Sequence, residues 1–435
     1  LKADFLAKPQ ALLHGDLHCG NVLVSHEEYK VIGAEFGCYG PIAFDTGTFI
    51  ASLILNLMTQ NPADSVSGRP YLSNQIDVFW QEFSAVFSTL MQKETKDQEN
   101  GKFTFGVWTT ADAKKSDADY SKEFKKYKDG GIDEVLINTG TDPKLLKRLV
   151  PLATKEGLKV HAWIMAMNRP GDSIALQHPE WYQVSKEGKS CFDNRPYVDY
   201  YQWLCPTKEE SRNHVLHLVE ELAKVEGIES VHLDYIRFPD IFLPISLLPK
   251  YNLVQDVELP QFDFCYCDEC VKAFEKIHHK NPKESHNTSI DMEWKNFRLN
   301  AVKAVVDDAY KIAHKHNKKL TAAVFPYPEM ADHMVRQRWD KWNIDEVYPM
   351  IYHSFYDEEI DWVGYATKQG VEDLEDKKTK INTGIYIPGL KNDAELKQAI
   401  LEAKENGAVG VSFFDGNALS ESNLKTIKET KASLK

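Results

Sequence analysis

Eight short apolar runs recur between residue 103 and the C-terminus, and stretches of helical period separate several of them. The runs are "FTFGVWTT" from 103, "EVLINTG" from 134, "KVHAWIMAM" from 159, "SVHLDYI" from 230, "LTAAVFPYP" from 320, "EVYPMIYHSF" from 346, "INTGIYIPG" from 381 and "GVSFF" from 410. Between them, "KLLKRLVPLATKEG" and "ELKQAILEAKENG" carry the helical repeat, and Gly157 and Gly407 fall where helix C-caps belong. Eight β-runs alternating with helices over about 335 residues predict a (β/α)8 TIM barrel with insertions. A doubly wound sheet is the alternative, but it would need the apolar runs to be shared between two edges. Upstream the pattern changes to a hairpin, a loop and two helices, "PIAFDTGTFIASLILNLM" and "NQIDVFWQEFSAVFSTLM". The polar "LMQKETKDQENGKF" (90–103) separates the two regimes. The expected organisation is therefore a first segment 1–97, a linker 98–102 and a barrel 103–435 with an insertion at about 240–300.

Composition excludes several classes. At 435 residues, 43% hydrophobic and 27% charged, the chain is an ordinary globular sequence of two-domain length. A formal charge of −13 argues against a nucleic-acid or anionic-membrane surface. No apolar run approaches the ~20 residues of a membrane span, and "GTFIASLILNLM" (47–58) reads as a core helix. The chain reaches functional-looking sequence within a dozen residues of Leu1, which is expected of a fragment or fusion.

"SVHLDYIRFPD" (230–240) ends a hydrophobic strand on a carboxylate. In a TIM barrel the strand ends and the loops after them build the active site, so Asp234 is the first candidate acid. Its bland reading is a cap for the next helix. Arg237 is placed to hydrogen-bond Asp234 and keep it ionised. Around the same rim, Trp108, Trp163, Tyr352 with His353, and Tyr386 lie near predicted strand ends, with His161 and Asn168 beside them. Aromatic rings bind the C–H faces of sugars while polar neighbours read the hydroxyls. Singly each of these aromatics is a core residue; together they point to sugar subsites.

"FDFCYCDECVKAFEK" (262–276) packs Cys265, Cys267 and Cys270 into a C-x-C-x-x-C run inside the insertion. Three thiolates so close suit a closed structural zinc site, with Cys205 as the natural fourth ligand and His278 or His279 as alternatives. A disulfide or unliganded packed thiols remain the competing readings. Some β-galactosidase barrels carry a similar run after the same strand, where it holds structural zinc.

Near the N-terminus, "LLHGDLHCGNVLV" (12–24) has the spacing of a kinase-type catalytic loop, with an acid to orient the acceptor hydroxyl and an amide for magnesium. This run and its continuation to "FDTGTFIASLILN" resemble the middle of the C-terminal lobe of the methylthioribose kinases, of aminoglycoside-phosphotransferase type. The resemblance implies Asp16 as catalytic acid, Asn21 as metal ligand and Glu35 in the second metal motif. Gly33 stands where that family's principal magnesium carboxylate belongs, and no Gly-rich phosphate loop or strand lysine occurs elsewhere. The segment is thus expected to be an inactive kinase remnant, from a cytoplasmic family.

The blocks "HLDYIRFP", "AVFPYPEMADHMVRQRWDKW" and "DEVYPMIYHSFY" resemble the glycosyl-hydrolase 10-like family of TIM barrels, bacterial and mostly of the cell envelope. The resemblance covers nearly all of 101–435 and implies hydrolysis of a poly- or oligosaccharide, with no cofactor needed for catalysis. Such chemistry takes two carboxyl groups flanking one bond. An Asp after strand four and a Glu after strand five is similar to the α-amylase-like hydrolases. That likeness implies retaining hydrolysis with Asp234 as nucleophile and Glu329 as acid/base. Asp415, after strand eight, is the runner-up or a hydroxyl ligand. The rival function is a non-catalytic glycan-binding barrel.

Overall fold

Each of the eight apolar runs folds as a strand: β1 (Thr104–Thr110), β2 (Glu134–Asn138), β3 (Lys159–Met165), β4 (Ser230–Asp234), β5 (Lys319–Val324), β6 (Glu346–Pro349), β7 (Lys380–Tyr386) and β8 (Gly410–Phe414). In the computed structural model they close, in chain order and all parallel, into an eight-stranded barrel. Strands buried on both faces need continuous apolar runs, and β2 and β4 are buried at every position. The structure describes residues 102–285, 288–374 and 377–434, together with 11–13, 21–24, 29–31, 38–40 and 49–52.

The helices follow from local signals. Asp142 caps α1 (Pro143–Lys155) by accepting from the Lys144 amide, and proline occupies the first turn, where no donor is missed. Its buried Leu145, Leu146, Leu149, Val150 and Ala153 form one stripe against the barrel. Gly157 and Gly407 follow the caps of α1 and of α2 (Asp393–Glu405) with φ of +75° and +96°. A side chain is strained there, and glycine ends both helices.

Two long excursions rise from the strand ends. After β3 the chain runs through a loop to α3 (Glu209–Ala223), and after β4 an insertion carries α4 (Asp268–His278) and α5 (Met292–Lys315) before β5. A buried charge cluster holds the insertion down: Asp263 pairs with Arg298 and Glu258 with Arg336, all nearly inaccessible. Asp263 also accepts from the Tyr266 hydroxyl at 2.5 Å and from Thr288 at 3.0 Å.

The chain divides into two compact units, Leu1–Gly101 and Lys102–Lys435. In the first, Ala11–Leu13 pairs antiparallel with Cys38–Gly40, and Val22–Val24 with Tyr29–Val31. Asn21 is half-buried there, while Asp16 and Glu35 lie outside the described residues.

Candidate active site at the mouth of the barrel

Asp234 is the last residue of β4, only 9% exposed. The next residue, Tyr235, has a φ of +50°, a left-handed conformation that costs a non-glycine residue about 1–3 kcal/mol. This turn brings the Tyr235 amide back onto Asp234 Oδ1 at 2.7 Å. The Trp163 indole N–H, from the neighbouring β3, donates to Oδ2 at 3.1 Å. Burial pushes the carboxyl up to about 6, against the opposing pull of the Tyr235 amide, the Arg237 charge and the Trp163 bond. A carboxyl at that value exchanges a proton near neutral pH.

Above it opens a cleft of about 550 Å³, within the size range of small-molecule and sugar sites. Trp108, Trp163, Arg237, Tyr352, Tyr386 and Asp415, all expected site residues, line it with Asp234. The Tyr352, Tyr386 and Phe414 rings, with centroids 5.2 to 6.2 Å apart and planes 18° to 34° from parallel, form an aromatic wall. Asp415 follows β8, which stands opposite β4 across the closed barrel. It is half-buried, and its Oδ1 accepts the Ala418 amide at 3.1 Å.

Four expectations fail on geometry. Glu329 sits in the first turn of α6 (Pro328–Val335) with its side chain 58% exposed and 3.9 Å from Arg338, outside the cleft lining. The buried stripe of α6 is Pro328, Ala331, Met334 and Val335, and Glu329 falls off that stripe. His161 is inside the barrel, one layer below Trp163 on the same strand, bonded to Ser230 at 2.7 Å. Asn168 is fully buried and ties its own loop, accepting the Gln202 amide at 2.9 Å; it borders a separate polar depression. His353 opens a 3-10 turn beside Tyr352 and is buried without lining the cleft.

Arg237 is in the cleft but serves a different acid. Its Nη1 donates to the Phe238 carbonyl at 2.9 Å and lies 3.4 Å from Asp240, so it reaches Asp234 through charge alone. Asp240, which also accepts from Tyr201 at 2.8 Å, was missed although it closes the same "SVHLDYIRFPD" segment. Tyr200, Tyr201 and Tyr251, also in the lining, were missed too. The aromatic density of "YVDYYQW" (197–203) was the available signal.

The four cysteines do converge. Cys205, Cys265, Cys267 and Cys270 are buried, with all four sulfurs within 4.8 Å of one another. His278 instead stacks on Phe274 and pairs with Glu293, and His279 ends α4 in a left-handed conformation.

A closed parallel barrel with a buried acid in an aromatic cleft defines a glycosidase-like TIM barrel. Residues 119–382, more than half of the chain, match the family DUF4015, described as "Putative glycosyl hydrolase domain". The chain belongs to that family. Among solved structures it is similar to the catalytic domain of β-amylase from Paenibacillus polymyxa (12% identity, 77% of this chain and 99% of that one, TM-score 0.55). It is also similar to a β-galactosidase from Halorubrum lacusprofundi (11%, 76% and 58%, TM-score 0.58). A third likeness is the PgaB (BpsB) glycoside hydrolase domain from Bordetella bronchiseptica (10%, 76% and 97%, TM-score 0.55). At such identities the likeness is one of fold. The N-terminal part is similar to methylthioribose kinase of Yersinia pestis (strain Pestoides F), 43% identical over 101 residues. That alignment covers 22% of this chain and 25% of the kinase, so the chain spans about a quarter of the length of the curated relatives it matches.

Proposed function

We propose that the barrel hydrolyses a glycosidic bond of a poly- or oligosaccharide bound in the aromatic cleft. The observation that carries this reading is the Asp234 carboxyl, buried at the strand end and pushed up to about 6 beneath aromatic rings. A carboxyl so poised donates its proton to the leaving glycosidic oxygen. Asp415, not Glu329, is the second carboxyl of the proposal. It activates a water that attacks the anomeric carbon while the bond to the protonated oxygen breaks. The proposal takes the water-mediated, inverting route, which needs roughly 6.5–9.5 Å between the two carboxyl groups. Sugar rings stack on Tyr352 and Tyr386, and the Trp163 indole keeps Asp234 oriented.

The test is turnover of a glycan panel by the full chain, beside Asp234→Asn and Asp415→Asn. Expected is hydrolysis by the wild type with inverted product, and a loss of about 10²–10⁴-fold in each variant. Micromolar glycan binding with no turnover of any glycan would replace the enzyme with a binding barrel. Turnover that survives in Asp415→Asn but not in Asp234→Asn would remove Asp415 from the pair.

A further inference from the structure

The four buried cysteines bring together two stretches of chain that are far apart in sequence. Cys205 ends the loop after β3, and its amide is fixed by the Trp181 carbonyl at 2.8 Å. Cys265, Cys267 and Cys270 lie in the insertion after β4, where Cys267 caps α4 and Cys270 sits in its first turn. The Cys205 sulfur is 3.8 Å from that of Cys267 and 3.4 Å from that of Cys270, and all four thiols are free. A disulfide would need about 2.05 Å. Four thiolates on a tetrahedral zinc, at about 2.3 Å each, lie about 3.8 Å apart. The observed spacing is that of ligands, not of a bond.

Surroundings fit such a centre. The Val184 amide donates to Cys265 Sγ at 3.4 Å. The N-terminal end of α4 presents its partial positive charge beside Cys267. Lys208, almost buried three residues after Cys205, pairs with Glu269 at 3.0 Å and adds a cation close to the cluster. With four protein ligands no position is left for water, so the centre is structural.

The same two chain segments form one wall of the cleft. Tyr197 and Tyr201 come from the loop after β3, while Asp240 and Tyr251 come from the insertion. Across the seam the Tyr197 hydroxyl donates to the Asp240 carbonyl at 2.9 Å, Tyr201 donates to the Asp240 carboxylate at 2.8 Å, and Tyr197 stacks on Phe262 with centroids 4.1 Å apart. We propose that Cys205, Cys265, Cys267 and Cys270 bind one zinc ion as a closed tetrathiolate clasp that locks these two segments together and sets the cleft wall. The role of that wall in sugar binding rests on the glycosidase reading; the presence of the metal does not.

The experiment is elemental analysis of the full chain produced with zinc, alongside Cys205→Ala and Cys265→Ala, followed by cobalt substitution. Amide exchange is then compared before and after chelation of the wild type. Expected are one zinc per chain, roughly tenfold less in each variant, and thiolate-to-cobalt charge-transfer bands. Metal removal should speed exchange at least about tenfold over 184–205 and 240–270 while the barrel strands keep their protection. A zinc-free protein whose four thiols all react without denaturant would overturn the site, as would full zinc occupancy in Cys205→Ala. Metal loss without faster exchange in those two segments would overturn the clasp. None of these readings depends on finding a substrate.

Discussion

His161 and Trp163 lie two residues apart on β3, both facing the barrel axis, yet they live in different worlds. The lower layer is sealed. Trp108 has only a donor, so its indole N–H at 3.1 Å makes His232 Nε2 an acceptor, and burial holds that ring neutral. His232 Nδ1 then donates to Thr321 at 2.8 Å, and the Thr321 and Ser230 hydroxyls, 3.1 Å apart, carry the chain on to His161 Nδ1, 2.7 Å from Ser230. His161 Nε2 lies 3.4 Å from Glu134. These bonds tie β1, β3, β4 and β5 together below the cleft, which makes His161 and His232 structure rather than site. One layer up, Trp163 points its donor at Asp234, whose other face meets the cleft. Depth along a strand separates the two roles, since residue type is polar in both layers.

The largest expected effect lies in the upper layer. Asp234→Asn should cost at least about a hundredfold in turnover and remove a fall of stability with rising pH. The sign follows from linkage. Asp234 holds its proton more tightly folded (about 6) than its ordinary 3.8, so the folded state loses stability as pH rises between those values. Above the upper value the full cost, about 3 kcal/mol at 1.36 kcal/mol per tenfold in proton affinity, is present. Asparagine carries no charge cost, but its amide nitrogen must face one of the two N–H donors, a penalty of about 1–3 kcal/mol at every pH. Melting curves should show the wild type losing stability relative to the variant between pH 4 and pH 7.5; a gap that stays constant would mean the carboxyl is well solvated.

The lower layer should answer in the opposite way. His161→Ala leaves a cavity and strips Ser230 of one of its two partners, costing about 3 kcal/mol in urea titration. Activity per folded molecule should stay within about twofold. A hundredfold loss of turnover with unchanged stability would put His161 back among the site residues.

How much of this was written in the sequence differs by kind of information. Apolar runs marked all eight strands, because a parallel strand buried on both faces is rich in apolar residues. Asp234 stood out because a charge at the end of such a run has no place in the core. The cysteine spacing placed three sulfurs together and Cys205 proved near enough to join them. Layer depth was not legible: inward positions repeat every second residue, so His161 and Trp163 look alike until the register of β3 against β2 and β4 is known. Loop knots were not legible either, which is why Asn168 seemed a sugar ligand and is instead a brace for Gln202. The error at Glu329 was avoidable, since the apolar phase of "PEMADHMV" already turns that residue outward.

A smaller change probes the junction of the layers. Trp163→Phe keeps the ring and removes one donor to Asp234. That bond favours the ionised carboxylate, so its loss should raise the carboxyl beyond about 6. For a general acid, active when protonated, the wild-type rate should fall as pH rises through about 6, and the variant's descending limb should lie at higher pH. Turnover at the optimum should drop by about tenfold, the worth of one hydrogen bond to a charged group. A rate that instead rises with pH through about 6, with that ascending limb at higher pH in the variant, would assign Asp234 the role of base or nucleophile.

The smallest effect is expected at Glu329, and it carries the most information about the pairing of acids. The residue is exposed, pairs loosely with Arg338, and lies beside Asp373, whose carboxyl is pushed up to about 6 by burial and by the Glu329 charge. An exposed pair contributes at most about 1 kcal/mol, so Glu329→Gln should change stability by no more than that and turnover by less than about twofold. Its one visible consequence should be local: with that charge gone, the Asp373 carboxyl returns toward its ordinary value, read by carbon NMR of the labelled side chain. Steady-state rates on whichever glycan the wild type cleaves decide the rest. A hundredfold loss in Glu329→Gln would require α6 to turn by most of a residue's rotation during catalysis, carrying the acid over the cleft. The strand-four and strand-five pairing would then return, and Asp415 would become a hydroxyl ligand.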